Sequence, residues 1–297
     1  MPLSDNLRGA VYMTLAMTMF TINDACMKGV GQSLPLFQAL FLRGIGTTFF
    51  LVLIGRQMGH FRFDFPKRDW GLILLRTVAE AAAAWFFITA LFNMPIGNVS
   101  AILQSLPLTV TLAGALLGEP VGWRRFAAIA VGFVGVLLIV QPGSDGFTHY
   151  SVYALLSVAM VTVRDLAARK MSRSVPSVLV ATIAAAGVCA FAGVGSIFVE
   201  WQPISVGAGV RLAGAMVFVI GGYIFSVNAM RQGEIGFVAP FRYTSLVAAL
   251  ILGLVVFGDW PDQLTLIGAA IVVATGLFTL YRERQVNRAA ARAAKNL

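Results

Sequence analysis

Charge is what this sequence has least of. Charged residues make up 12% of the 297, about half of the roughly 25% with which a soluble domain coats its surface, so a water-soluble globule is excluded. Histidine is scarce as well. His60 and His149 are the two present, both fall in expected loops, and the apolar runs therefore hold no imidazole to act as a general base. Cys26 and Cys189 are the two cysteines. They lie inside apolar runs, show neither disulfide nor metal spacing, and read as small buried hydrophobes. The sequence contains no HExxH, no GxSxG and no GxxxxGK[ST] phosphate cradle. An enzyme and an ATP-driven pump are both disfavoured, and no cofactor or metal is expected.

What is present is hydrocarbon. Hydrophobic residues reach 58% and the mean hydropathy is +0.83. Apolar runs near 9–30, 35–55, 70–91, 97–117, 125–141, 150–170, 175–198, 210–230, 236–257 and 264–281 approach the ~20 residues a helix needs to cross about 30 Å of bilayer core. The first run carries Asn23 and Asp24 and has no small-residue cleavage site, so it reads as a retained span. The expectation is an all-α membrane protein of ten transmembrane helices. The net charge of +9 is a matter of topology. Sixteen of the 22 Lys and Arg fall on one face of this alternation, in the N-terminus, the even-numbered loops and the C-terminal tail. By the positive-inside rule that face is cytoplasmic, which puts both termini inside a bacterial inner membrane and makes nucleic acid an unneeded partner.

The runs repeat. At an offset of 141, Val11-Tyr12, Met19, Thr21, Asp24 and Lys28 match Val152-Tyr153, Met160, Thr162, Asp165 and Arg169, and Ser33, Pro35 and Gly46 match Ser174, Pro176 and Gly187. Ile96-Gly97 then matches Ile235-Gly236 at 139, and Gly118-Glu119 matches Gly258-Asp259 at 140. Residues 1–145 and 146–284 thus read as two five-helix halves, followed by a basic tail at 285–297. Five is odd, so the second half enters the membrane upside down. Inverted repeats around a central cavity are a device of secondary transporters.

The two segments Gly97–Gln141 and Gly236–Arg284 resemble the end of an EamA repeat of the drug/metabolite transporter superfamily. The likeness rests on the mid-span prolines Pro107 and Pro240, the acidic turns Gly118-Glu119 and Gly258-Asp259, and the Gly-rich span after each. It extends over residues 8–284. Two departures are Asp259 in place of the family's glutamate and the missing glycine counterparts of Gly132 and Gly135. The resemblance implies a ten-helix bundle around a cavity, with small metabolites as substrates. Among its members the amino-acid exporters are the nearest likeness, and uptake of a nucleotide-like metabolite is the alternative; a channel is a third reading. Amino acids and membrane lipids are the expected partners, and a monomer suffices.

Ionisable groups inside spans are functional candidates by default. One set, estimated towards the outer side, is Asn23, Asp24, Lys28, Arg43 and Gln104; the other, towards the inner side, is Arg76, Glu80, Arg164, Asp165, Arg242 and Tyr243. Asp24 with Lys28, and Arg76 with Glu80, sit four apart and share helix faces. The two sets are either gates related by the inversion or ion pairs that only permit insertion and hold helices together. Lys28 and Arg169, near span ends, are expected to snorkel to headgroups. A zwitterionic substrate needs a guanidinium for its carboxylate and Glu80 or Asp24 for its ammonium. Trp85, Gln104, Tyr223, Asn228, Tyr243 and Ser245 are candidate lining residues. Pro107 and Pro240 are either hinges or simple kinks that shape the cavity.

Overall fold

The computed structural model describes residues 5–57, 59, 63–118, 122–143, 148–172, 174–232 and 235–295. Among them every regular element is helical: α1 (Asp5–Val30), α2 (Leu36–Gln57), α3 (Lys67–Asn93), α4 (Ile96–Leu103), α5 (Leu106–Leu116), α6 (Trp123–Val140), α7 (Tyr150–Lys170), α8 (Ser177–Ser196), α9 (Val206–Gln232), α10 (Ile235–Val238), a 3-10 turn (Ala239–Tyr243), α11 (Thr244–Leu252), a π turn (Gly253–Phe257) and α12 (Gln263–Lys295). Nine spans among the described residues are long and apolar enough to cross a membrane, α4 with α5 forming one of them. The first expected crossing, α1, is long enough at 26 residues but is diluted by Thr14, Thr18, Thr21, Asn23 and Asp24. Each of the three threonine hydroxyls donates to the carbonyl four residues back, at 2.8–3.0 Å, so the helix absorbs its own polarity. Large apolar side chains such as Phe49, Leu74 and Val210 are exposed, as hydrocarbon solvent permits.

Contacts divide the chain into two compact units, and each draws on both sequence halves. The first comprises residues 1–21, 97–148 and 222–297; the second comprises 22–96 and 149–221. α1 and α9 are cut by this division. Repeats record the chain's internal similarity, whereas compact units record packing, and the two need not coincide.

In the first unit α6 lies antiparallel to α12. A methyl added to Gly135 would meet the Gly268 carbonyl at 2.8 Å, and one added to Gly268 would meet the Gly135 carbonyl at 2.5 Å. The two backbones therefore touch, the small-residue packing that membrane helices favour. At one end of this pair Gln141 ends α6 with a left-handed backbone (φ 50), and its amide donates to Asp262, the residue before α12. A second cluster packs Met13, Ala16 and Met17 against Ala229 and Val238. The turns after α5 and after the π turn use Gly118 (φ 92) and Gly258 (φ 70), where a side chain would be strained. Glu119, beside the first, lies outside the described residues.

Both proline-bearing spans are broken. α4 stops at Leu103, and α5 restarts with Pro107 in its first turn; Pro240 opens the 3-10 turn. Proline removes a backbone donor, and hydroxyls cover carbonyls around the gaps. Ser105 donates to Ile102 at 2.7 Å, Thr111 to Pro107 at 2.7 Å, Thr244 to Phe241 at 2.6 Å and Ser245 to Arg242 at 2.9 Å.

In the second unit α3 runs antiparallel to α7, and α8 packs against α2 and α3. Gly44 sits against Cys189, and Ser157 donates to the Ala83 carbonyl at 3.2 Å. Gln38, fully buried within α2, grips the segment before α9 with both ends of its amide: Nε2 donates to Gln202 O at 2.8 Å and Oε1 accepts from Gln202 N at 3.0 Å. The C-terminal segment also differs from a plain tail, because α12 continues as helix through Lys295. Five alanines between 289 and 294 are strong helix formers.

Asp262 caps α12 by accepting from Thr265 N at 2.7 Å and from Gln141 Nε2 at 2.5 Å. Slight burial pushes its carboxyl up, but the hydrogen bonds from Gln141 and Thr265 outweigh this and hold it below its ordinary value of 3.8. A depressed carboxylate adds stability above its unfolded value and loses it as the pH falls through the folded one. Asp262→Ala is expected to cost about 1 kcal/mol at pH 7. In detergent, thermal unfolding should show this gap at pH 7 and show it closing as the pH falls below the ordinary carboxylate value of 3.8.

Candidate functional site

The polar groups inside the spans fall into three sets. In the second unit, α3 carries Arg76 and Glu80 one turn apart, and antiparallel α7 brings Arg164 and Asp165 alongside. Arg164 Nη1 donates to both Glu80 oxygens, at 3.1 and 3.3 Å, while its Nε donates to Asp165 at 2.9 Å. Arg76 reaches Glu80 at 3.9 Å. Two guanidinium groups and two carboxylates make the cluster neutral, and Glu80 is its hub. Its side chains are 20–32% exposed.

The second set, in the same unit, centres on Asn23, which is 3% exposed. Its Nδ2 donates to Asp24 Oδ1 at 2.8 Å and its Oδ1 accepts from Arg43 Nη1 at 3.4 Å. The amide thus links carboxylate to guanidinium, and Arg43 is the cation whose charge acts on Asp24. The expected role of Lys28 needs correcting. Instead of snorkelling to headgroups, Lys28 gives its ammonium to the Leu91 and Met94 carbonyls at the end of α3. Those last carbonyls lack intrahelical donors and form the negative pole of the helix dipole. Arg211 does the same for α1 through Gly29 O at 3.0 Å. Sequence reasoning passed over Arg211 and Gln38; a lone polar side chain near a span end was the available signal. Arg169 is exposed.

The third set lies in the first unit, at the two breaks. Gln104, 7% exposed, donates from Nε2 to Ser245 Oγ at 2.9 Å. Tyr243 is buried with its hydroxyl pressed against Gly276 of α12, and that hydroxyl has no hydrogen-bond partner among the described residues. Arg242, beside it, is exposed. Among the described residues no carboxylate pairs with its guanidinium, unlike those of Arg76 and Arg164. Tyr223 packs edge-on against Phe20 at 5.4 Å, also on an exposed face, and Asn228 is half-buried on α9.

Trp85 stands apart from this third set. In the second unit it packs tilted against Phe86 and edge-on against Tyr153 and lines an apolar cavity of about 610 Å³ with Phe37, Thr77, Ala81, Phe86 and Phe191. The expected substrate-contact and lining residues therefore divide between the units: Glu80 and Trp85 in the second, Gln104, Tyr223, Asn228, Arg242, Tyr243 and Ser245 in the first.

Comparison with known proteins adds a second line of information. Residues 7–141 match the EamA-like transporter family. The S-adenosylmethionine uptake transporter of Rickettsia prowazekii is 25% identical over 289 residues, 94% of each chain. The pseudopaline exporter of Pseudomonas aeruginosa is 26% identical over 280 residues, 89% of this chain and 93% of that one. The riboflavin transporter of Rhizobium johnstonii is 26% identical over 298 residues, covering 94% and 93%. A crystal structure sharing 18% identity superposes with a TM-score of 0.64 over 93% of this chain and 98% of that one, which extends the fold across nearly the whole length.

Four substitutions test this geometry in detergent melts. Glu80→Gln and Arg164→Gln should each cost about 1–3 kcal/mol, and the pair together should cost less than their sum, since one bond is lost in both. Gly276→Ala should destabilise strongly through the Tyr243 hydroxyl, while Tyr243→Phe alone should be nearly neutral and should restore part of the loss when combined with it.

Proposed function

We infer a carrier mechanism from one premise: this chain belongs to the EamA-like transporter family through residues 7–141, and its full-length curated relatives are transporters, not enzymes. The proposed carrier is a ten-span bundle of two inverted repeats, 1–145 and 146–284, with a basic tail at 285–297. It sits in a bacterial inner membrane with both termini cytoplasmic and exposes one cavity to either side in turn. Supporting the inversion, two antiparallel pairings recur. On α3 and α7, Trp85 meets Tyr153; on α1 and α9, Tyr12 meets Phe225. The repeat offsets of 141 and 140 carry Tyr12 to Tyr153 and Trp85 to Phe225. The neutral clusters around Glu80 and Asn23 serve as gates, each closing one side when formed, and Pro107 and Pro240 mark the hinges.

The substrate reading rests on Arg242. An exposed guanidinium on a broken span, without a carboxylate of its own among the described residues, is a fork for an anionic group brought from outside. An amino acid moved outward is the reading favoured here, its carboxylate on Arg242. A second reading, uptake of a nucleotide-like metabolite, draws on the Rickettsia relatives named for S-adenosylmethionine uptake, a compound with an amino-acid head of its own. The chain carries no nucleotide-binding motif, so gradients drive net flux in either case.

The test is counterflow in proteoliposomes with labelled amino acids, S-adenosylmethionine, riboflavin, nucleobases and sugars, with and without a pH gradient. Saturable amino-acid counterflow is expected, with Arg242→Gln raising the half-saturation concentration about tenfold, the equivalent of ~1.4 kcal/mol. Flux of S-adenosylmethionine without any amino acid selects the second reading. Flux that never saturates points to a channel and sinks the carrier.

A further inference from the structure

The two broken spans meet at one point. Gln104, in the gap between α4 and α5, donates to Ser245 Oγ at 2.9 Å, and Ser245 donates onward to the Arg242 carbonyl at 2.9 Å. Gln104 is 7% exposed and Ser105, beside it, 1%, so the donor's side of the meeting point is buried, while Ser245 is half-buried. In this stretch the repeats align at an offset of 139, from Ile96-Gly97 with Ile235-Gly236, which makes Gln104 the equivalent of Tyr243 and Ser105 the equivalent of Thr244. The hydrogen bond therefore crosses one residue to either side of the equivalent pair Ser105 and Thr244.

Two points exchanged by a twofold axis can touch only on or beside that axis. A contact beside the axis is displaced least when the two repeats trade conformations. On the inverted-repeat carrier reading given above, we propose that the Gln104–Ser245 hydrogen bond is the fixed contact of the transport cycle, kept in both facing states. Gln104 and Ser245 are then positioning residues. They hold the ends of two interrupted helices in register, and with them Arg242, three residues before Ser245, while the flanking helices rock.

The test bridges Gln104→Cys to Ser245→Cys with a short bis-methanethiosulfonate, in a Cys26→Ala, Cys189→Ala background. Counterflow of S-adenosylmethionine and of leucine is measured in the same protein before and after bridging. The expected result is an unchanged rate, while bridging Asn23→Cys to Arg43→Cys stops flux. Arrest on bridging 104 to 245 overturns the proposal. Should the double-cysteine protein carry nothing unbridged, Ser245→Ala decides. It is expected to lower the maximal rate with the half-saturation concentration unchanged, and Ser245→Thr to restore it; a shift in half-saturation alone, or no change in either, overturns the proposal. An unaltered chain that carries nothing sinks the carrier reading itself, an outcome separate from a working chain stopped by the bridge.

Discussion

In hydrocarbon, a polar group without a partner costs several kcal/mol, and nearly every polar detail of this chain answers that constraint. The threonines of α1 turn back onto their own helix. Hydroxyls cover carbonyls around the two proline breaks. Lys28 and Arg211 supply donors to the ends of α3 and α1. Arg164 spreads its fork over two carboxylates. Irregular backbone at membrane depth survives only because side chains of this kind stand ready beside it.

The same constraint separates polarity kept for architecture from polarity kept for use. A group whose needs are met locally requires no further explanation. Arg242 and the Tyr243 hydroxyl are different. Both sit at the second broken span, one exposed without a carboxylate and one buried without a hydrogen-bond partner among the described residues. Their adjacency gives the span an end that faces outward and an end wedged against Gly276. The wedge fixes the backbone from which the guanidinium projects.

Much of this was readable from the sequence, because apolar runs and their lengths follow directly from bilayer thickness. Nine of the expected crossings recur as helices with near-matching bounds, and the Arg76–Glu80 spacing translated into contact. The misreading of Lys28 has a physical cause. Spacing of i and i+4 sees neighbours on one helix, but the carbonyls that hold Lys28 are some 65 residues away in sequence. Gln38 and Gln202 are hidden for the same reason. The helical course of 285–295 was masked by reading charge and passing over the alanines between. The division of compact units across α1 and α9 follows packing between spans, which a linear pattern does not record.

The backbone contact between Gly135 and Gly268 has an electrical consequence. Where two helices touch carbonyl to Cα, no file of water molecules fits between them, and a proton has no relay to hop along. Gln141 and Asp262 close one end of that seam with a direct bond. This seam of α6 and α12 offers protons no path.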